Sequence, residues 1–150
     1  MKKIVLSLIV ISQFILVSSN VFAAGGNLPG SGDPNDPYLI EDLTDFDAFA
    51  SDINYWATGI HTKLMCDPNL WGRTYTTAVI APDIDNQDDV FVGISFAGIF
   101  DGNGHNIRNL TIDPNGADNE YLGLFGYINS GSEVRNLNLA NASIIGSDDY

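Results

Sequence analysis

The chain has 150 residues, with 19 Asp and Glu against six Lys and Arg, a formal charge of −13 and 45% hydrophobic residues. So acidic a balance repels polyanions, which excludes nucleic acid and anionic membrane surfaces as partners. The length allows one domain of ordinary size, and the lone Cys66 excludes an internal disulfide.

Residues 1–23 have the form of a signal peptide. Lys2 and Lys3 open the segment, Ile4 to Val17 is largely apolar, and Val21-Phe22-Ala23 supplies small residues at the cleavage positions, so processing is expected after Ala23. The apolar run is shorter than the about 20 residues a spanning helix needs. The mature chain keeps Lys63, Arg73, Arg108 and Arg135 as its cations against 19 acids. It is expected to be secreted, outside the cell or on its surface, with no membrane insertion once the leader is removed.

Residues 24–37 consist mainly of turn formers and read as a flexible loop, after which 38–150 form the repeat domain. Tyr38-Leu39-Ile40 is a short strand. A helix follows, with Thr44 as its cap, Asp47 three residues on, and Leu43, Phe46, Phe49 and Ala50 on one face. His61 to Cys66, Val79-Ile80, Val90-Phe91-Val92 and Phe96 to Phe100 have strand character. Asp101-Gly102-Asn103-Gly104 is the strongest turn signal, because Asn and Gly both tolerate positive φ. Ile107 to Ile112 resumes as a strand whose inward set is Ile107, Leu110 and Ile112.

A segment then nearly repeats itself. Phe96-Ala97-Gly98-Ile99-Phe100 is echoed 25 residues later by Tyr121-Leu122-Gly123-Leu124-Phe125, and Ile107 to Ile112 is echoed 27 residues later by Val134 to Leu139. A strand-and-turn unit at this period marks a stacked β architecture, since one such unit cannot bury its own apolar face. The expected fold class is therefore all-β, a stack of such units with an N-terminal capping helix. Stacking at these offsets would align Arg108 with Arg135 and set Asn109 over Asn136 in a ladder. Asp149-Tyr150 matches Glu120-Tyr121, so a further unit is expected to follow and the chain reads as truncated at its C-terminus.

The blocks Gly30-Ser31-Gly32-Asp33-Pro34-Asn35-Asp36-Pro37-Tyr38-Leu39-Ile40, Lys63-Leu64-Met65, Phe96 to His105 and Gly123-Leu124-Phe125-Gly126 resemble secreted bacterial proteins with GLUG-type repeats. The resemblance runs over residues 30–150. It implies that the stack is a right-handed parallel β-helix (solenoid) of exported or surface proteins, among them adhesin-like proteins and accessory regions of IgA-cleaving peptidases. No shared catalytic set comes with it, so the chain carries no family active-site residue, metal ligand or cofactor.

Four groups of residues could still carry chemistry. His105 beside Asp101 would be a base and its orienter, or a metal site, although the Asn-Gly turn accounts for both residues. Asp83, Asp85, Asp88 and Asp89 alternate acids in one loop as a calcium site does, but without the glycine and terminal glutamate of the helix-loop-helix pattern. Cys66 reads as a small buried residue, with His61 five positions upstream as its only candidate base. Tyr55, Trp56, Trp71 and Tyr75 would form a sugar-stacking platform if exposed together, or the core of the cap if buried. Asn109-Leu110-Thr111 and Asn141-Ala142-Ser143 match the glycosylation acceptor pattern by chance.

The function expected from the sequence is a secreted or cell-surface repeat module with a structural or adhesive binding role and no catalysis of its own. Its partners would be an extracellular glycan or protein ligand and the remainder of its own longer chain. The alternatives are the N-terminal part of a polysaccharide-active β-helix enzyme, a lyase or glycosidase, and the non-catalytic flank of a secreted peptidase. The His-Glu-x-x-His zinc motif of a peptidase is not in the sequence.

Overall fold

The computed structural model describes residues 28–85, 90–117 and 119–146. The leader at 1–23, Asp88 and Asp89, and the Asp149-Tyr150 echo lie outside the described residues.

The chain begins with β1 (Tyr38–Ile40) and α1 (Leu43–Ser51), followed by a 3-10 turn (Ile53–Trp56) and β2 (His61–Leu64). After a long irregular stretch come β3 (Ile99–Asp101), β4 (Asn106–Arg108), β5 (Thr111–Ile112), β6 (Glu133–Arg135), β7 (Asn138–Ala140) and β8 (Ser143–Ile144). All the pairings among these strands are parallel. β1-β2-β3-β6 form one four-stranded sheet, while β4-β7 and β5-β8 form two two-stranded sheets.

This corrects the expectation of an all-β, right-handed parallel β-helix with a capping helix. The described residues form three small parallel sheets of strands two to four residues long, together with a nine-residue α-helix. The strands are short because the chain is bent repeatedly into the left-handed region at Asn103, Asn109, Asn136 and Asn141, all with φ between 52° and 57°. Asparagine tolerates that region because its short side chain hydrogen-bonds locally. Isolated parallel bridges bring further segments alongside: Asn69 meets Arg108 of β4, Tyr75 meets Ile112 of β5, and Phe96 meets Ile128.

The pairing register also departs from the sequence echo. Phe100 lies beside Val134, Ile107 beside Leu139 and Ile112 beside Ile144. Arg108 is therefore opposite Ala140, and Asp101 is opposite Arg135, so the two arginines do not align. The echoed segments therefore do not pair strand to strand, although the echoed Phe100 and Phe125 pack together with ring centroids 5.7 Å apart.

α1 forms where expected, but its cap is Asp42, not Thr44. The Asp42 carboxylate accepts hydrogen bonds from the Thr44 and Asp45 N–H groups at 2.7 and 2.9 Å, satisfying two donors the helix leaves open. Phe46 and Phe49 are fully buried on its inner face, with Leu43 and Ala50 half-buried beside them. Phe49 packs against Phe100 with ring centroids 5.2 Å apart, and Phe125 packs against Phe96 at 5.0 Å. Around this aromatic centre lie Ile40, Leu64, Leu70, Ile80, Ile107, Leu110 and Ile112, each removed entirely from solvent. Ile107, Leu110 and Ile112 form the inward set as expected, but not along one strand: the left-handed Asn109 separates β4 from β5 and lets residues of opposite parity face the core.

Candidate functional site

Two ion-paired corners fix the outer surface of the sheets. Asp67 follows β2, and its carboxylate faces β4 from the preceding turn. It contacts His105 Nδ1 at 2.9 Å, accepts the Asn106 N–H at 3.0 Å and pairs with the Arg108 guanidinium. The Asn106 N–H above all, then His105 and Arg108, hold the Asp67 carboxyl well below the usual carboxylate range, against a smaller opposing effect of burial. Asp101 does the same one turn further on. Burial pushes its pKa up, but the Asn136 amide, the Asn103 N–H and Arg135 together outweigh it and leave the carboxyl lowered.

The expected pairing of His105 with Asp101 does not form: the imidazole belongs to Asp67, and Asp101 to Arg135 and Asn136. Asp67 carries no local signal of this role, since 38 residues separate it from His105.

Asp83 is buried, and its Oδ1 accepts the Val92 N–H at 2.9 Å while Ile84 N–H reaches Val92 O at 2.8 Å. The carboxylate therefore ties two strands of its own loop together. Among the described residues no group of three or more His, Cys, Asp or Glu is gathered as metal ligands. Cys66 is half-buried beyond the end of β2. Burial first, then Asp42 and Asp67, push its thiol above the ordinary value, which favours the thiol over the nucleophilic thiolate.

The four aromatics separate. Tyr55 and Trp56 belong to the core: the Tyr55 hydroxyl accepts the Leu28 N–H at 3.3 Å, and the Trp56 indole N–H donates to Phe49 O at 2.8 Å. Tyr75 is half-buried against the core cluster. Trp71 stands out alone, 80% exposed.

Trp71 borders an open groove of about 570 Å³ lined by Arg73, Thr74, Asn109, Thr111 and Asn141. Two of these lining residues, Asn109 and Asn141, belong to a chain of amides that begins at Asn69. Asn109 donates from Nδ2 to Asn69 Oδ1 at 2.8 Å, and Asn141 donates from Nδ2 to Asn109 Oδ1 at 3.4 Å. The same Asn69 oxygen accepts the Trp71 N–H at 3.1 Å, so the ladder also sets the turn that carries the indole. The asparagine ladder therefore exists, but through Asn69, Asn109 and Asn141; Asn136 is engaged by Asp101 instead. No recurring word marks it: Asn69 and Asn109 precede a leucine, as do Asn136 and Asn138 outside the ladder, while Asn141 precedes an alanine.

At the far end of the groove Arg73 grips Asp47 on α1 through both terminal nitrogens, with Nη2–Oδ2 at 3.0 Å. Hydrogen bonding to Asp47 raises the Arg73 pKa and keeps its charge paired. A second hollow of about 500 Å³, lined by Ser51, Tyr75 and Val79 among others, meets the first at Arg73 and Thr74.

The chain matches no described protein family and no solved structure. It is 34% identical over 126 residues to halomucin of Haloquadratum walsbyi, covering 83% of this chain. It is also 34% identical over 122 residues, 81% of this chain, to a protein of Evansella cellulosilytica named "Putative Gly-rich membrane protein". The chain spans about 1% of the length of the first and 12% of the second. The second name agrees, at a coarse level, with association with the membrane or cell surface. Among the described residues no helix is long and apolar enough to cross a membrane.

Proposed function

We propose that this chain is an exported module of the cell surface with a structural or adhesive binding role and no catalysis of its own. The observation that carries the reading is the form of the likenesses. About four-fifths of the chain is matched inside two far longer proteins, one named a halomucin and one a membrane protein. A unit that recurs as a small part of long chains is suited to building or presenting a surface.

The polar side chains support the same reading, because those best suited to acid–base work are occupied in holding turns together. Asp67 ties His105 and Arg108, Asp101 ties Arg135, and Asp47 ties Arg73. The Phe96 to His105 block and Gly123-Leu124-Phe125-Gly126 further support grouping the chain with the GLUG-type secreted repeat proteins.

The test is protease shaving and antibody labelling of intact cells producing the full chain. The reading expects the protein in the medium or labelled on intact cells, with the leader removed. Retention of an unprocessed chain in the cytosol contradicts it.

A further inference from the structure

We propose that the groove between Trp71 and the Asn69–Asn109–Asn141 ladder binds an uncharged, β-linked polysaccharide. The inference rests on the reading of the chain as a surface binding module, and adds to it a site and a ligand class.

Trp71 is the starting point. At 80% exposure its indole contributes little to the core, which is built from Phe49, Phe96, Phe100 and Phe125. Its backbone is nevertheless fixed, because its N–H donates to Asn69 Oδ1 at 3.1 Å. The ring is thus an apolar plate held at the lip of a groove. A β-linked pyranose exposes a flat face of axial C–H bonds that such a plate covers, with its hydroxyls projecting around the rim.

The groove floor supplies the complementary chemistry. Each asparagine amide carries two donors and an accepting oxygen, and the ladder uses one donor per rung. Each rung thereby fixes the orientation of the next amide before a ligand arrives, which lowers the ordering cost of binding. Asn141, at the open end, donates to Asn109 through Nδ2, and its Oδ1 remains directed by that bond. Thr74 and Thr111 line the same groove and add hydroxyls that both donate and accept. Amides and hydroxyls together match the mixed donor and acceptor character of sugar hydroxyls.

Charge decides against an acidic glycan. Arg73, the cation in the groove, is already paired with Asp47 through both terminal nitrogens. The whole chain carries −13, so a polyanion would approach against the field. Shape decides for a chain over a single sugar: the hollows of about 570 and about 500 Å³ meet at Arg73 and Thr74 and run from Asn141 toward α1. Each lies within the range of ordinary ligand pockets, about 300–1,000 Å³.

The test is a calorimetric and fluorescence titration of the full chain with hexamers of β-1,4-linked glucose and of β-1,4-linked N-acetylglucosamine, with polygalacturonate as the acidic contrast. At least one neutral hexamer should bind and shift the tryptophan emission, since Trp56 is buried and Trp71 faces solvent. Trp71→Ala should weaken that binding at least tenfold, Trp71→Phe less, and Asn141→Ala about threefold, with unchanged circular dichroism throughout. The proposal is overturned if neither neutral hexamer binds the folded chain, if polygalacturonate binds in preference, or if Trp71→Ala and Trp71→Phe both bind as the parent does. Shaving of intact cells separates this from the parent reading. A surface-exposed chain that binds neither hexamer loses the groove alone, whereas a cytosolic chain loses both.

Discussion

Asp67 concentrates several interactions in one carboxylate: an imidazole, a guanidinium and a backbone N–H from the next segment of chain converge on it. Its pKa, like that of Asp101, is lowered in the folded protein. A carboxyl with a depressed folded pKa contributes stability that is fully present above its unfolded value, about 3.9, and is lost as pH falls through the folded value. Thermal unfolding should therefore be steady near neutrality and fall steeply below about pH 4. Asp67→Asn should lower the melting temperature at pH 7 and reduce the drop between pH 5 and pH 3, which calorimetry at the two pH values checks. An unchanged acid slope in that variant would show that Asp67 contributes nothing to it. Gly102 makes a different demand. A Cβ there would lie 2.6 Å from Asn136 O and from Leu137 Cα, where the chain passes directly over the turn. Gly102→Ala should cost about 1–3 kcal/mol, the usual range for overpacking, measured by urea unfolding.

Among the elements, α1 and its apolar face were legible in the sequence, and the aromatic centre beneath it and the pairing of the strands were not. The helix could be read because Phe46 and Phe49 recur at helical spacing and Asp or Thr stands ready to cap. Asp42 takes the cap, and Asp45 holds the preceding turn through the Glu41 N–H at 2.9 Å. Asp42→Ala should destabilise the protein by about 1 kcal/mol, the typical worth of such a cap. Phe100→Ala should cost about 3–5 kcal/mol, because it removes a fully buried ring that touches both Phe49 and Phe125. Denaturant titrations distinguish the two magnitudes. The buried set Ile107, Leu110 and Ile112 was likewise legible as apolar residues, but the break at Asn109 that turns all three inward was not. The register depends instead on turn lengths, and turns at Asn109, Asn115 and Asn136 are set by single left-handed residues that look alike in sequence. An echo at 25 and 27 residues therefore pointed to neighbours that the structure does not pair, while Asn109 and Asn141, 32 residues apart, share a hydrogen bond. The candidate site was half legible for the same reason. Trp71 could be singled out as an aromatic, but the amides that frame it lie about 40 and 32 residues apart along the chain.

At the scale of the whole molecule, Leu139 of β7, Ile144 of β8 and Ile145 just after it are about half exposed, beside the fully buried Ile107 and Ile112 with which the first two pair. Asp47, Asp67 and Asp101 are held in ion pairs that bind one turn of chain to the next. Such a molecule has well-ordered turns and an aromatic lip over a groove, and its likeness to pieces of longer proteins fits a part that is built into a surface. The central claim is that it holds a ligand without transforming it. The most direct measurement incubates the full chain with the β-1,4-linked hexamers, following retention of the sugar by equilibrium dialysis and new reducing ends over a day. Retention with no increase in reducing ends is the predicted result. Release of new reducing ends by the full chain, absent from a Trp71→Ala control, would contradict the account and make the groove an active site.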